Sequence, residues 1–572
     1  MPATNAEIAE LFKRFADLLE IEDANPFRVR AYRNAARVVA GYSRRMAELL
    51  AEGRDLDELP GIGKDLAAKV EVIVRTGKLP QLEQLQKRIP RAVSDLLHLP
   101  GLGPKRVKLL FRELNIRSFE DLKRAAGSGK LEGLPGFGAK TVARILASLE
   151  TRSAGPQRFK LADAEQIAAP LLAYLRKTPG VKRVEIAGSY RRRRDTVGDL
   201  DIVVTGGRDS PVMARFVKYD AVAMVLSEGA TRATVQLRNG MQVDLRLLPE
   251  ISYGAALYYF TGSKAHNIAV RKIAAAKGLK INEYGVYRGP KRIAGRSEQG
   301  LFAAVGLPYI PPELREAHGE IEAAGAGKLP KLISLPDIRG DLHTHTEATD
   351  GHDTLAAMAG AARARGYQYL AITDHTRHVT VAHGLNAKQL LAQVRAIDKL
   401  NVKFKDFHIL KGTEVDILED GSLDLPDSIL KELDVVVAAV HYKLVLPPAK
   451  QTARILKAFD NRRVQILVHP TTRLINARAE ITADMDKIFR AAAAAGVALE
   501  INANPERLDL DDIHARAAHQ AGCKLVISTD AHSIAGLADM RFGADQARRA
   551  WLETGDVLNT LAHRQLLQAL AR

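Results

Sequence analysis

Six segments between residues 341 and 532 end in side chains that ligate metals. They are Asp341-Leu342-His343-Thr344-His345, Thr373-Asp374-His375, Gly412-Thr413-Glu414, Val440-His441, Val468-His469-Pro470 and Thr529-Asp530-Ala531-His532. Apolar, strand-like runs at 369–372, 434–438, 464–468, 497–501 and 525–528 alternate with helical ones in the same region. That alternation predicts parallel strands with covering helices, in a barrel or an open sheet. Ligands so distant in sequence converge when the C-terminal ends of parallel strands share one face. Imidazoles and carboxylates in this number suit two or three ions such as Zn²⁺ or Mn²⁺. The chemistry such a set supports is metal-activated water attacking a phosphoester. A lone histidine such as His408 or His563 reads as surface decoration, but the set at strand ends does not.

A second constellation lies upstream. Gly188-Ser189-Tyr190-Arg191-Arg192 precedes Gly198-Asp199-Leu200-Asp201, and Asp244 comes later in Val243-Asp244-Leu245-Arg246. The run 200–204 predicts a buried strand, and Asp199 and Asp201, two apart, leave it on one face. Runs 232–237 and 241–245 alternate around Asn239-Gly240, which predicts a hairpin with a type I′ turn that brings Asp244 beside them. Three carboxylates on a rigid sheet suit two ions, Mg²⁺ or Mn²⁺, about 3.5–4 Å apart, one activating a hydroxyl and one holding a triphosphate. The Gly-Ser turn offers a backbone N–H and a hydroxyl to phosphate oxygens, and Arg192 adds charge. Any of these carboxylates alone reads as a strand cap or a solvated hairpin residue. Together they read as a nucleotidyl-transfer site.

Charge divides the 572 residues along the same line, and the length suits three or four domains. The net +17 lies wholly in residues 1–330, with 54 Lys and Arg against 37 Asp and Glu. Residues 331–572 balance 30 against 30 and hold 13 of the 16 histidines. A basic front half predicts a polyanion partner bound with salt-dependent affinity. One cysteine, Cys523, excludes a disulfide framework, and no apolar run approaches a membrane span, so a cytoplasmic chain with no membrane partner is expected. Within the first 150 residues one pattern repeats: Leu59-Pro60-Gly61-Ile62-Gly63-Lys64, Leu99-Pro100-Gly101-Leu102-Gly103-Pro104-Lys105 and Leu134-Pro135-Gly136-Phe137-Gly138-Ala139-Lys140. The glycines permit a tight turn whose N–H groups, with the next helix N-terminus, suit one backbone phosphate, and Lys105 and Lys140 add charge. Such contacts hold a nucleic acid without reading its bases.

The repeats resemble helix-hairpin-helix DNA-binding motifs. Residues 337–572 resemble the polymerase-and-histidinol-phosphatase (PHP) family of metal-dependent phosphoesterases. That resemblance implies His343, His345, Asp350, His375, Glu414, His441, His469, Asp530 and His532 as ligands, with Glu414 bridging two metals and His352 as the alternative to Asp350. Residues 1–318 resemble family X DNA polymerases, on Gly188, Ser189, Arg192, Asp199, Asp201 and Asp244. The run Tyr259-Phe260-Thr261-Gly262-Ser263, with Asn267 and Arg271, matches the segment that closes over the incoming nucleotide. By that resemblance Tyr259 and Phe260 lie against the sugar, Asn267 meets the base's minor-groove edge and Arg271 the template. Without it the run reads as a helix-start turn with aromatic core residues. The lyase lysine of polymerase beta matches Lys69, but three phosphate-pocket lysines of that family appear here as Arg28, Asp65 and Gln81. Such a set weakens a 5′-phosphate site.

The resemblances imply a multidomain fold. A helical, helix-hairpin-helix N-terminal region (1–90 lyase-like, 91–155 with two further motifs) precedes an α+β nucleotidyltransferase palm (156–250) and a nucleotide-binding thumb (251–318). A linker (319–336), read from the alanine- and glycine-rich composition of 323–330, leads to a C-terminal α/β PHP-type distorted (β/α)7 barrel (337–572). The expected protein is a monomeric, template-directed DNA polymerase filling short gaps in base excision repair or end joining. It would act on gapped or primed DNA and dNTPs, alongside repair proteins, with the barrel a 3′→5′ exonuclease, an AP endonuclease or a 3′-phosphatase. Two other readings stay open: a DNA-end-processing hydrolase whose front half positions the DNA, and a non-catalytic gap-binding scaffold.

Overall fold

The same backbone hydrogen bond closes all three Leu-Pro-Gly-x-Gly copies. Ile62 N donates to Leu59 O, Leu102 N to Leu99 O and Phe137 N to Leu134 O, at 2.9, 3.0 and 3.1 Å. These three side chains are buried, and the carbonyls of Gly63, Gly103 and Gly138 accept from N–H groups of the next turn of chain. Gly61 and Gly136 take φ of +82° and +86°, a region glycine enters at little cost. The computed structural model describes the chain except residues 1–2, 4, 41–45, 60, 90–92, 94–95, 100–101, 139–140, 143–144, 146–157, 208 and 572. Gly101 and Lys140 therefore lie outside the described residues. The chain divides into two units, 1–157 and 158–572. Described elements of the first are helical, among them Asn5–Ile21, Pro26–Ala40, Lys64–Thr76 and Pro104–Glu113, around a core that includes Phe12, Tyr32, Val70 and Leu110.

The second unit begins with a five-stranded sheet of β1 (Val181–Ile186), β2 (Asp199–Gly206), β3 (Val222–Glu228), β4 (Arg232–Leu237) and β5 (Gln242–Leu248), in the order β1-β2-β5-β4-β3. β2 and β5 run parallel, and every other pairing is antiparallel. The β4–β5 hairpin departs from expectation. Among positive-φ residues here only Gly240 appears, at +91°, whereas a type I′ turn needs both Asn239 and Gly240 there. Gly240 N donates to Leu237 O and Leu237 N to Met241 O. The connection is thus a three-residue loop, a turn centred on Arg238-Asn239 followed by a left-handed glycine. Asn239 Oδ1 accepts from Met241 N at 3.0 Å, which stabilises it.

Beyond this sheet come helices Tyr253–Thr261 and Lys264–Ala276, a small antiparallel sheet at 280–294 and helix Glu298–Ala304. Residues 319–336, expected as a linker, contain helix Glu320–Gly325. Its Ile321 and Ala324 join the core of Tyr258, Val270 and Phe302.

The remainder is seven parallel strands in sequence order: β6 (Gly340–Asp341), β7 (Tyr369–Ile372), β8 (His408–Asp416), β9 (Val435–Ala439), β10 (Ile466–Leu467), β11 (Ala498–Asn502) and β12 (Leu525–Ser528). A bridge between Thr344 and Ala531 joins the first strand's continuation to the last's, so the sheet curls into a barrel. Alternate side chains supply two apolar layers. Tyr369 and Ala371 pack in one core cluster, and Leu370 and Ile372 in another, as expected of strands buried on both faces. No helix among the described residues is long and apolar enough to cross a membrane.

Candidate active sites

Parallel register sets Asp201 of β2 opposite Asp244 of β5, and Asp199, two residues earlier, opposite Gln242. Asp244 is buried. Its carboxylate accepts from Thr234 Oγ1 at 2.7 Å and Gln242 Nε2 at 2.8 Å, and Arg232 lies 3.4 Å away. Burial, then the charges of Asp199 and Asp244, push Asp201 up to about 7. Asp199 is raised by burial and by Asp244. Carboxylates crowded so that they disfavour one another's ionisation are a donor set for divalent cations. Gly188 makes the close approach feasible: its φ is +61°, and a Cβ there would stand 2.5 Å from Asp201 Oδ2.

Asp199 and Asp201 open into a cleft of about 780 Å³, also lined by Gly188, Ser189, Arg192, Tyr259, Phe260, Gly262, Asn267 and Arg271. Every nucleotide-binding residue expected from the sequence therefore faces one space. Tyr259 and Phe260 are half-buried at its wall, at the margins of neighbouring apolar clusters. Asn267 Nδ2 donates to Tyr259 O at 2.7 Å, and Ser263 Oγ accepts from His266 N at 3.2 Å, so the turn between the two helices is tied from both sides. Arg192 donates to Glu316 Oε1 at 2.9 Å and to Thr261 O.

The nine expected barrel ligands converge, seven of them just past strand ends, Glu414 within β8 and Asp350 in the turn nine residues after β6. They form four overlapping groups: His345, Asp350, His375 and His532; His343, His469 and Asp530; His343, His345 and Glu414; and His375, Glu414 and His441. Ligand atoms in each group lie within 4.8 Å of one another. Asp350, not His352, joins the cluster, 3.6 Å from His375 Nε2 and 3.4 Å from His532 Nε2. The two Glu414 oxygens face different imidazoles. Oε1 is 2.9 Å from His469 and 3.2 Å from His441, and Oε2 is 2.8 Å from His375. Burial opposes charge on Glu414, but His375, His441 and His343 hold its carboxyl well below the usual range. Buried polar atoms are ordinarily paired, yet His343 Nε2, both His345 ring nitrogens and Glu414 Oε2 have no hydrogen-bond partner. Such orphaned donors, aimed at one another, fit a cluster of several metal ions. His469 and Asp530 take φ of +30° and +54°, strain of the kind that surrounding structure sustains at functional sites.

A second cleft, of about 540 Å³ and in the first unit, is lined by Arg28, Tyr32, Gly63, Lys64, Lys69 and Gln81, among others. Lys69 is ion-paired with Asp65 one helical turn away.

Over 557 residues, 97% of this chain and 97% of the relative, the sequence is 40% identical to the DNA polymerase/3'-5' exonuclease PolX of Bacillus subtilis (strain 168). The chain belongs to the PolX family, family X DNA polymerases with a C-terminal PHP domain. Family models match along this PolX-family chain as a helix-hairpin-helix domain (3–79), a SAM-like helix-hairpin-helix tandem (93–151), a DNA polymerase beta thumb (256–316) and a PHP domain (341–504). DNA polymerase lambda of Arabidopsis thaliana is 27% identical over 351 residues, 55% of this chain and 62% of that one. A probable phosphatase of Thermoanaerobacter sp. (strain X514) is 30% identical over 236 residues, 38% of this chain and 89% of that one. The PHP match ends at residue 504, and the geometry extends the cluster beyond it to Asp530 and His532.

Sequence reasoning passed over the carboxylates that orient these PolX-family imidazoles. Glu500 accepts from His343 Nδ1 at 2.8 Å and His469 N at 2.7 Å. Asp416 lies 3.3 Å from His441 Nδ1 and accepts from His441 N at 3.2 Å. Partners of this kind fix the tautomer and direction of a ligating ring. The signal for them was a carboxylate flanked on both sides by apolar residues, Leu499-Glu500-Ile501 and Val415-Asp416-Ile417.

Proposed function

We propose that this chain is a template-directed DNA polymerase that fills short gaps during repair, and that its barrel trims 3′ ends so that synthesis can start. The full-length relative named for both polymerase and exonuclease activities supports the pairing. The observation that carries the polymerase reading is Asp201 opposite Asp244, beside a cleft lined by Ser189, Arg192 and Tyr259. Asp199, Asp201 and Asp244 would hold Mg²⁺ or Mn²⁺. The ligand set His343, His345, Asp350, His375, Glu414, His441, His469, Asp530 and His532 would hold two or three Zn²⁺ or Mn²⁺. When bound, such cations neutralise phosphate charge and make a hydroxyl or water more acidic.

The chain's own groups position and accept. The Ser189 hydroxyl and Arg192 guanidinium take triphosphate oxygens, and Tyr259 and Phe260 wall the sugar against a ribose. Asn267 meets the minor-groove edge of the base, and Arg271 the template. Asp244, fixed by Thr234 and Gln242, takes up the proton of the primer 3′-hydroxyl. Glu500 and Asp416 turn His343 and His441 into the barrel cluster. Cleavage at abasic sites and removal of 3′-phosphates are further end-cleaning reactions that suit the same cluster. With Lys69 paired to Asp65, no lyase step is assigned to it. The functional division is 1–90, 91–155, 156–250, 251–318 and 337–572.

A 5′-labelled primer at a short gap, with Mg²⁺ or Mn²⁺ and with or without dNTPs, tests both halves. Extension with dNTPs and shortening without them are expected. Asp201→Ala should abolish extension and keep shortening, and a His343→Ala, His345→Ala pair should do the reverse. Extension surviving in the first variant removes the palm assignment, and shortening surviving in the second removes the barrel assignment.

A further inference from the structure

The palm turn that carries Ser189 and Arg192 is held from behind by the barrel. Arg549, at the end of helix Met540–Arg549 and 4% exposed, donates to the carbonyl of Arg192 at 2.7 Å. It also contacts Glu316 Oε1 at 3.2 Å, the same oxygen that accepts from Arg192 Nε. Asp512, on a neighbouring barrel helix, anchors the other end of the Arg549 guanidinium. One residue on, Arg193 pairs with Glu165 at 3.0 Å and with barrel Asp545 at 3.6 Å. Two further on, Asp195 accepts from barrel Arg473 at 3.2 Å. Arg473 itself is fixed by the carbonyls of Arg507 and Leu508.

These contacts fall on a turn that needs support. Arg193 takes φ of +56°, a conformation that costs a non-glycine residue energy and persists where the surroundings over-determine it. Three of the groups that do so, Arg473, Asp545 and Arg549, belong to the barrel. Arg192 is thereby constrained at its main chain by Arg549 and at its side chain by Glu316 and Thr261 O. Guanidinium recognition of phosphate depends on such fixed direction.

We propose that the barrel forms the back wall of the polymerase's triphosphate clamp, with Arg549 a positioning residue that sets Arg192 for the incoming nucleotide. The inference rests on the assignment of Arg192 to the triphosphate. The barrel's framework, rather than its metal cluster, is then linked to nucleotide binding through packed surfaces. Losing the barrel contact should weaken dNTP binding even when the barrel site is intact.

The test compares the full-length parent with Arg549→Met, Arg549→Lys, Arg192→Met and the double Arg192→Met, Arg549→Met variant. Steady-state KM and kcat for the complementary dNTP are read on a one-nucleotide-gapped duplex, and the 3′-end trimming rate is read on the same DNA without dNTPs. Arg549→Met should raise dNTP KM about tenfold with kcat and trimming changed by less than about threefold, because displacement of a binding group costs affinity steeply. Arg549→Lys, which keeps charge but not the fork, should recover part of that loss. The double variant should be no worse than Arg192→Met, since both act on one group. A merely structural role predicts another pattern, with kcat and trimming falling together and KM unmoved, and that overturns the proposal. Arg192→Met raising KM while Arg549→Met leaves it at the parental value also overturns it, with the polymerase reading intact. Arg192→Met leaving KM unmoved removes the triphosphate assignment and the proposal together. Should Arg549→Met fail to fold, Asp545→Asn takes its place. A KM rise of about threefold then supports the back wall, and a parental KM refutes it.

Discussion

Single atoms decide much at both sites. At Gly188 a methyl group would meet Asp201 Oδ2 at 2.5 Å, on a backbone already at +61°. Gly188→Ala should therefore displace either the turn or the carboxylate. Primer extension should fall by about 10²-fold or more, while 3′-end trimming on the same DNA stays near the parental rate. A second residue carries a pH signature. Asp509 is fully buried and accepts from Thr471 N through both oxygens, at 3.2 and 3.0 Å. Burial pushes it from 3.8 up to about 6 against the pull of Arg473. Because the folded value exceeds the unfolded one, the folded chain holds this proton more tightly. The resulting stabilisation is complete below about pH 4 and disappears as pH rises through 6. Asp509→Asn has no such proton, so its stability relative to the parent should improve between pH 4 and pH 7, by about 2–3 kcal/mol. Thermal melts of both proteins across that range would show it, and a constant difference in melting temperature would refute it.

Elements reveal where local sequence suffices and where it does not. The strand expected at 369–372 forms at Tyr369–Ile372, and that at 525–528 at Leu525–Ser528, because a short buried parallel strand is written in its own apolar run. The pair Asp199 and Asp201 was equally legible, since period-two spacing fixes which residues share a face, whereas Asp244 joins them through the long-range parallel pairing of β2 with β5. The turn of the β4–β5 hairpin was not. Asn-Gly favours type I′ in isolation, but here Gly240 alone takes the left-handed position and the loop is one residue longer. Composition also misled at 319–336, where alanine and glycine read as linker while Ile321 and Ala324 fill a neighbouring core. Arg549 was invisible for another reason: its partners are brought to it only by tertiary packing. The helix-hairpin-helix turns sit at the legible end, and they support a prediction. Among the described residues a Cβ at Gly61 would meet only Val38 Cγ2, at 3.5 Å, so Gly61→Ala is penalised by its φ of +82° rather than by space. It should distort one phosphate cradle, weaken binding to gapped duplex several-fold, and do so equally for unrelated sequences. Fluorescence anisotropy with two duplexes of different sequence would check this, and a sequence-dependent loss would contradict it.

At the scale of the whole chain, charge separates the tasks. The net +17 lies in residues 1–330, while residues 331–572 balance 30 Lys and Arg against 30 Asp and Glu. A neutral barrel holding a buried cation-binding cluster needs no field of its own to act on a small phosphodiester. On long DNA the basic front half is expected to supply the grip. Salt should therefore affect the two substrate classes differently. If the front half neutralises about six phosphates, affinity for gapped DNA should fall by about 10³-fold between 50 and 200 mM salt. Extension and 3′-end trimming at subsaturating DNA would decline together over that range. Hydrolysis of bis-p-nitrophenyl phosphate by the same barrel should change by less than about twofold, because no counterions are released from a polyanion. Measuring all three rates on one preparation across that salt range separates DNA grip from chemistry. Parallel decline of the small-diester rate would mean that salt disturbs the barrel cluster itself, and the division of labour would fail.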